Sequence, residues 1–155
     1  MTLELLLEYI VYGAIIVVSV LILWLIKRKT KLPTHLELKR RIVDFRTELS
    51  DFIESERGEG RATYDFFKRT SKCIYAADKL VYVITLMAEK ERDGNLDKIS
   101  VIMETARNAL SGYKFKMRGK EDLSGFETAL EQTDRALAAL EQILERDKDL
   151  NRKQR

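Results

Sequence analysis

From Tyr9 to Ile26 the chain reads YIVYGAIIVVSVLILWLI, eighteen residues without a charge. Wound as a helix, such a run is about the shortest that crosses a hydrocarbon core of roughly 30 Å. A helix buried in a water-surrounded domain usually keeps a polar stripe, and here only Gly13 and Ser19 interrupt the apolar sequence. A cleaved signal peptide wants bases before a shorter apolar core and a small-residue cleavage site after it. This core is preceded by Glu4 and Glu8 and followed by Lys27-Arg28-Lys29-Thr30-Lys31. Residues 3–26 are therefore expected to form an uncleaved transmembrane helix, and 27–33 a basic juxtamembrane segment. Tyr9, Tyr12 and Trp24 fall where interfacial aromatic belts are expected. Lys and Arg gather on the cytoplasmic side of a span, so the N-terminus is expected outside the cell (inner) membrane and the rest in the cytoplasm.

Charge partition removes one class of partner. The whole chain carries +3. Residues 1–26 contribute −2 and residues 27–41 contribute +6, which leaves −1 for residues 42–155. A nearly neutral domain offers no broad basic face for duplex nucleic acid. A small anionic ligand held by a few local bases remains open. Cys73 is the only cysteine and His35 the only histidine. One chain therefore provides no disulfide framework, no His/Cys zinc site and no Ser-His-Asp set unless His35 alone serves. His35 stands near the expected membrane surface at a helix start, a poor place for a buried active site. Cys73 reads as packed core. No enzyme activity and no cofactor are expected.

Residues 34–147 read as an all-α cytoplasmic domain of about four helices, followed by a charged tail at 148–155. Thr34-His35-Leu36-Glu37 after Pro33 fits the S/T-x-x-E capping box. Leu38, Ile42, Phe45, Leu49 and Phe52 then repeat as a heptad seam to about Glu56, before Arg57-Gly58-Glu59-Gly60 breaks the helix. A second helix is expected from Ala62 or Thr63 to about Arg92, with Phe67, Ile74, Ala77, Val81, Ile84 and Ala88 on one apolar line. Asp93-Gly94-Asn95 opens a third, marked by Leu96, Ile99, Ile102, Met103, Ala106 and Leu110 and closed at Ser111-Gly112. A fourth begins near Asp122 or Ser124, where Ser124-Gly125-Phe126-Glu127 repeats the capping box. Its line is Leu123, Phe126, Leu130, Thr133, Leu137, Leu140 and Leu144, and the chain is expected to fray from Glu145. The simplest packing is an antiparallel bundle. Helices this long for a small core favour a homo-oligomer.

Two basic groups stand out. Tyr113-Lys114-Phe115-Lys116-Met117-Arg118-Gly119-Lys120 alternates bases with apolar side chains in a connection between helices. Lys114, Lys116, Arg118 and Lys120 are placed to reach phosphates, and Phe115 with Tyr113 to stack on bases. The plainer reading is a solvated loop pinned by two aromatic rings. Arg61, Lys68, Arg69 and Lys72 gather at the start of the second helix and are expected to stand without acids nearby, where free backbone N–H groups also favour an anion. The plainer reading there is a charged helix face opposite a core.

One N-terminal span, a basic flank and a small all-α domain together resemble the small single-pass membrane effectors of type III CRISPR antiviral defence. That resemblance covers layout and size and implies a sensor of cyclic oligoadenylate, typically cyclic tetra-adenylate, that acts on the lipid bilayer as an oligomer. The alternative is a membrane-tethered helical scaffold that binds a partner chain and no small ligand.

Overall fold

A computed structural model describes the backbone of residues 3–29, 31–58, 63–113 and 123–153. All five elements among these residues are α-helices: α1 (Leu3–Lys29), α2 (His35–Gly58), α3 (Thr63–Glu91), α4 (Gly94–Ser111) and α5 (Ser124–Lys153). The chain divides into two compact units, Met1–Leu32 and Pro33–Arg155.

The first unit is α1, 27 residues long. Its described side chains, residues 9–24, are all exposed and apolar on every side except at Gly13 and Ser19. The Ser19 hydroxyl donates to the Ile15 carbonyl at 2.8 Å, so its one polar group is satisfied within the helix. Among the described residues no helix is long and apolar enough to cross a membrane. The span expected over residues 3–26 is thus shown as a helix only.

In the second unit α2 packs on α3, α3 on α4, α4 on α5 and α5 back on α2, and no backbones approach closely across the diagonals among the described residues. The pairs run antiparallel. Arg57 at the end of α2 meets Glu127 at the start of α5, and Lys72 of α3 reaches Glu48 of α2 at 3.0 Å. The Thr85 and Ser100 hydroxyls join α3 to α4 at 2.7 Å. Arg146 near the end of α5 meets Asp93 at the start of α4 at 2.9 Å. The result is an up-down-up-down four-helix ring, the arrangement that short connections between amphipathic helices favour.

The α2 seam is as the spacing predicts: Leu38, Ile42, Phe45, Leu49 and Phe52 are all buried. At its start the Thr34 hydroxyl accepts the Glu37 N–H at 3.2 Å. On α4 the expected line holds too, with Leu96, Ile99, Met103, Ala106 and Leu110 buried, whereas on α3 and α5 the inward line is shifted. On α3 the expected Ile74, Ala77, Ile84 and Ala88 are buried, joined by Phe66, Thr70, Cys73, Leu80 and Met87, while Phe67, Tyr75 and Tyr82 are exposed. On α5 the inward line is Phe126, Ala129, Thr133, Ala136, Leu140 and Ile143, so the helix is turned toward its alanines. Leu130, Leu137 and Leu144 are left half-buried at its edge. Small side chains on the inward line let α4 and α5 approach closely. A Cβ built on Gly125 would stand 2.5 Å from Tyr113 and 2.6 Å from the Ala109 carbonyl oxygen, closer than any side chain tolerates.

α5 starts at Ser124 and α3 ends at Glu91, close to the expected positions, while the cap of α5 and its far end differ. Leu123, not Ser124, precedes the first residue of α5, and its carbonyl takes the Glu127 N–H at 3.0 Å, so that capping box is not formed as expected. α5 does not end near Glu145 but continues to Lys153, with Arg152 and Lys153 in its last turn, where cations oppose the helix dipole. α3 ends at Glu91, and the next residue, Arg92, takes φ 52°, the left-handed region that glycine adopts at least cost.

Candidate functional site

The bases at the start of α3 are divided by the structure. Arg61 lies outside the described residues. Lys68 is exposed to solvent. Arg69 turns inward: its guanidinium sits 4.8 Å from the centre of the Phe52 ring, bonds the Ser55 hydroxyl at 2.8 Å and lies 3.5 Å from the Glu56 carboxylate. Lys72 pairs with Glu48. The expectation of a base cluster without acids nearby is therefore overturned. α2 supplies Glu48 and Glu56 from 24 and 13 residues earlier in the chain. Arg69 and Lys72 join α2 to α3, and Lys68 and Lys72 are the described bases of this group that are exposed.

Lys114, Phe115, Lys116, Arg118 and Lys120 lie outside the described residues. The helix ends that flank them are defined. Arg57 at the end of α2 and Phe66 in the first turn of α3 stand at one end of the bundle, together with Tyr113 after α4 and Phe126 in the first turn of α5. Phe52, Phe66, Tyr113 and Phe126 form one aromatic cluster there. Phe52 stacks on Phe126 with centroids 4.3 Å apart, and Tyr113 lies 4.8 Å from Phe126 and 6.4 Å from Phe66. The Tyr113 hydroxyl accepts the Gly125 N–H at 3.0 Å, one of the donors that a helix start leaves over. Tyr113 is thus a buried anchor in the core rather than a base-stacking platform. The connection carrying Arg61 and the one carrying 114–120 both begin and end at this end of the bundle, which is opposite the Pro33 end.

At the Pro33 end the bundle carries a polar cluster of its own. His35, in the first turn of α2, contacts the Asp147 carboxylate of α5 through Nδ1 at 2.9 Å and the Glu91 carboxylate of α3 through Nε2 at 2.7 Å. Beside it Arg146 donates to Asp93 at 2.9 Å, and Asp93 also accepts the Asn95 N–H at 2.9 Å as the cap of α4. Burial alone lowers the proton affinity of His35. The hydrogen bonds and charges of Asp147 and Glu91 outweigh it and hold the imidazole above the ordinary 6.5. Arg146, and then the Asn95 N–H, hold Asp93 below the ordinary 3.8. Sequence reasoning assigned His35 no binding role and missed its partners. The signal was available, because an antiparallel ring must bring the ends of α3 and α5, which carry Glu91 and Asp147, to the start of α2.

The same register extends along the α2–α5 seam, where Lys39 pairs with Glu141 at 2.7 Å, Arg46 with Asp134, and Arg57 with Glu127. With His35–Asp147 this makes a ladder of α2 cations on α5 carboxylates. Cys73 is buried, and burial, reinforced by Glu48 against Arg69 and Lys72, pushes its thiol up to about 11. It stays protonated near neutral pH and is a poor nucleophile. Among the described residues no three His, Cys, Asp or Glu are grouped to hold a metal ion. No known protein family, curated protein or solved structure matches this chain.

Proposed function

We propose that the protein is a single-pass membrane protein whose helical bundle binds a small anionic signal at the end far from its tether and acts on the membrane as an oligomer. The observation that carries this reading is topological. The two stretches that hold most of the basic candidates, Arg61 and 114–120, connect helix ends that meet at one pole of the bundle. The starts of α3 and α5 are at that pole too, and helix starts favour anions. Lys68 is on the first turns of α3 below it. In this reading Lys114, Lys116, Arg118, Lys120 and Arg61 hold phosphates, Phe115 stacks on a base, and Arg69 and Lys72 have structural roles.

α1 is the membrane anchor in this proposal. At about 1.5 Å per residue the charge-free run from Tyr9 to Ile26 extends roughly 27 Å, close to a hydrocarbon core of about 30 Å. The basic flank places the bundle on the cytoplasmic side. The resemblance in layout to CRISPR-associated membrane effectors makes cyclic oligoadenylate, cyclic tetra-adenylate first, the ligand to try. A rotationally symmetric ligand suits a symmetric oligomer that contributes one basic set per phosphate.

Calorimetry of the full chain in lipid nanodiscs with cyclic oligoadenylates tests the ligand. Binding that disappears in a Lys114→Glu, Lys116→Glu, Arg118→Glu variant supports it, and no heat from folded protein sinks it. The scaffold reading is favoured by one observation of its own: Phe67, Tyr75 and Tyr82 are exposed along α3. Under that reading the triple variant keeps its activity, and Tyr75→Ser with Tyr82→Ser loses it.

A further inference from the structure

We propose that His35 is a proton-operated clamp: as an imidazolium it ties the start of α2 to the ends of α3 and α5, and losing its proton releases that end of the bundle. The inference rests on donors and acceptors and is independent of any ligand. An ionised carboxylate only accepts hydrogen bonds, and a neutral imidazole has one N–H and one bare lone pair. His35 has a carboxylate oxygen within 2.9 Å of each ring nitrogen, Asp147 on Nδ1 and Glu91 on Nε2. Both contacts are satisfied only when both nitrogens carry hydrogen. The other way to supply the second hydrogen is to protonate Glu91 or Asp147. That moves a proton from the more basic imidazole to a carboxylate, against their ordinary order of affinity.

The surroundings favour the charged ring. From α3 it is faced by Glu91, from the α3–α4 turn by Asp93, and from α5 by Asp147 and Arg146. Three carboxylates and one guanidinium leave an excess of negative charge for the imidazolium to offset. Arg146 is occupied by Asp93 at 2.9 Å and is 3.8 Å from Asp147, so it does not replace His35 on Glu91. On α2 itself the neighbouring charges are paired elsewhere, Glu37 with Arg41 at 2.7 Å and Lys39 with Glu141 at 2.7 Å. Without its proton the ring turns a lone pair toward one carboxylate, and attraction becomes repulsion at one of the two contacts. Thr34 and Pro33 precede this turn, so the loosened segment is the one where the chain from α1 enters the bundle.

His35 is the only histidine, so one labelled imidazole signal reports it without ambiguity. The full chain, carrying carbon-13 histidine and held in nanodiscs, is titrated by NMR between about pH 5 and pH 9. The expected midpoint lies above 6.5, and Glu91→Gln and Asp147→Asn each lower it. Hydrogen exchange in the first turn of α2, corrected for its intrinsic pH dependence, should rise as pH passes the wild-type midpoint. It should already be fast at low pH in His35→Gln. A midpoint at or below 6.5, a midpoint indifferent to both carboxylate variants, or exchange that does not follow the titration overturns the proposal. If His35→Gln fails to fold, the wild-type titration and the two carboxylate variants still decide it.

Discussion

The two poles of the bundle are held together by different chemistry. At the pole with the α2–α3 and α4–α5 connections, Phe52, Phe66, Tyr113 and Phe126 pack ring on ring, the Tyr113 hydroxyl accepts the Gly125 N–H, and the Arg57–Glu127 and Arg69–Glu56 pairs flank the rings. At the Pro33 pole the turns meet through His35, Glu91, Asp93, Arg146 and Asp147. Apolar packing holds no titrating group and no charge for salt to screen, whereas contacts between partly exposed charges depend on pH and ionic strength. One pole is thus built to stay closed, and the other responds to its surroundings.

The largest expected effect is at the aromatic pole. Phe126 is fully buried against Phe52, so Phe126→Ala should cost about 3–5 kcal/mol, read as a fall in the urea midpoint. A loss under 1 kcal/mol would remove the claim that this pole carries the stability. Gly125→Ala sharpens it. The new methyl meets Tyr113 and the backbone oxygen of Ala109, which cannot swing aside, so a loss of about 1–3 kcal/mol is expected.

The next test contrasts the poles by pH. His35 binds its proton more tightly folded than unfolded, so its contribution is fully present below the ordinary 6.5 and fades as pH rises through the raised folded value. Asp93 has the opposite sign: its contribution holds above 3.8 and fades as pH falls through its lowered value. Thermal unfolding of wild type relative to His35→Gln should converge at alkaline pH, while the deficit of Phe126→Ala stays constant from neutral to alkaline pH. The smallest effect is a gain. Arg92→Gly relieves the left-handed backbone between α3 and α4 and should add about 1 kcal/mol to the unfolding free energy, at the polar end alone.

Local features were legible in the sequence. The Thr34 cap, the α2 seam and the Asp93 start of α4 follow from spacing and side-chain chemistry within a few residues. Which way α3 and α5 are turned was not. Phe67 and Leu130 are as apolar as Phe66 and Ala129, and only neighbouring helices decide which face goes inward. Hydrophobicity favoured the leucines of α5, whereas close packing on α4 favoured Ala129 and Ala136. The polar contacts were hidden for a simpler reason. His35 and Asp147 are 112 residues apart, and Arg46 and Asp134 are 88 apart, so no local pattern joins them. The same blindness made Arg69 and Lys72 look available when Glu56 and Glu48 already hold them. Of the basic candidates, Lys68 and Lys72 are the described ones that are exposed, Lys72 beside Glu48, and the connections remain the place to test binding.

The ladder between α2 and α5 has a mechanical consequence. The helices run antiparallel, so the chain enters α2 and leaves α5 at the same pole. A pull between the α1 side and the C-terminal end therefore does not shear the seam with all its pairs loaded together. It peels the seam open from His35–Asp147, then Lys39–Glu141, Arg46–Asp134 and Arg57–Glu127 in turn. Each pair meets the load alone, and the force needed to part the two helices is that of the strongest single rung, not of the sum. The same bundle pulled through its two connections at the aromatic pole would open from the opposite end, with Phe52 and Phe126 bearing the first load.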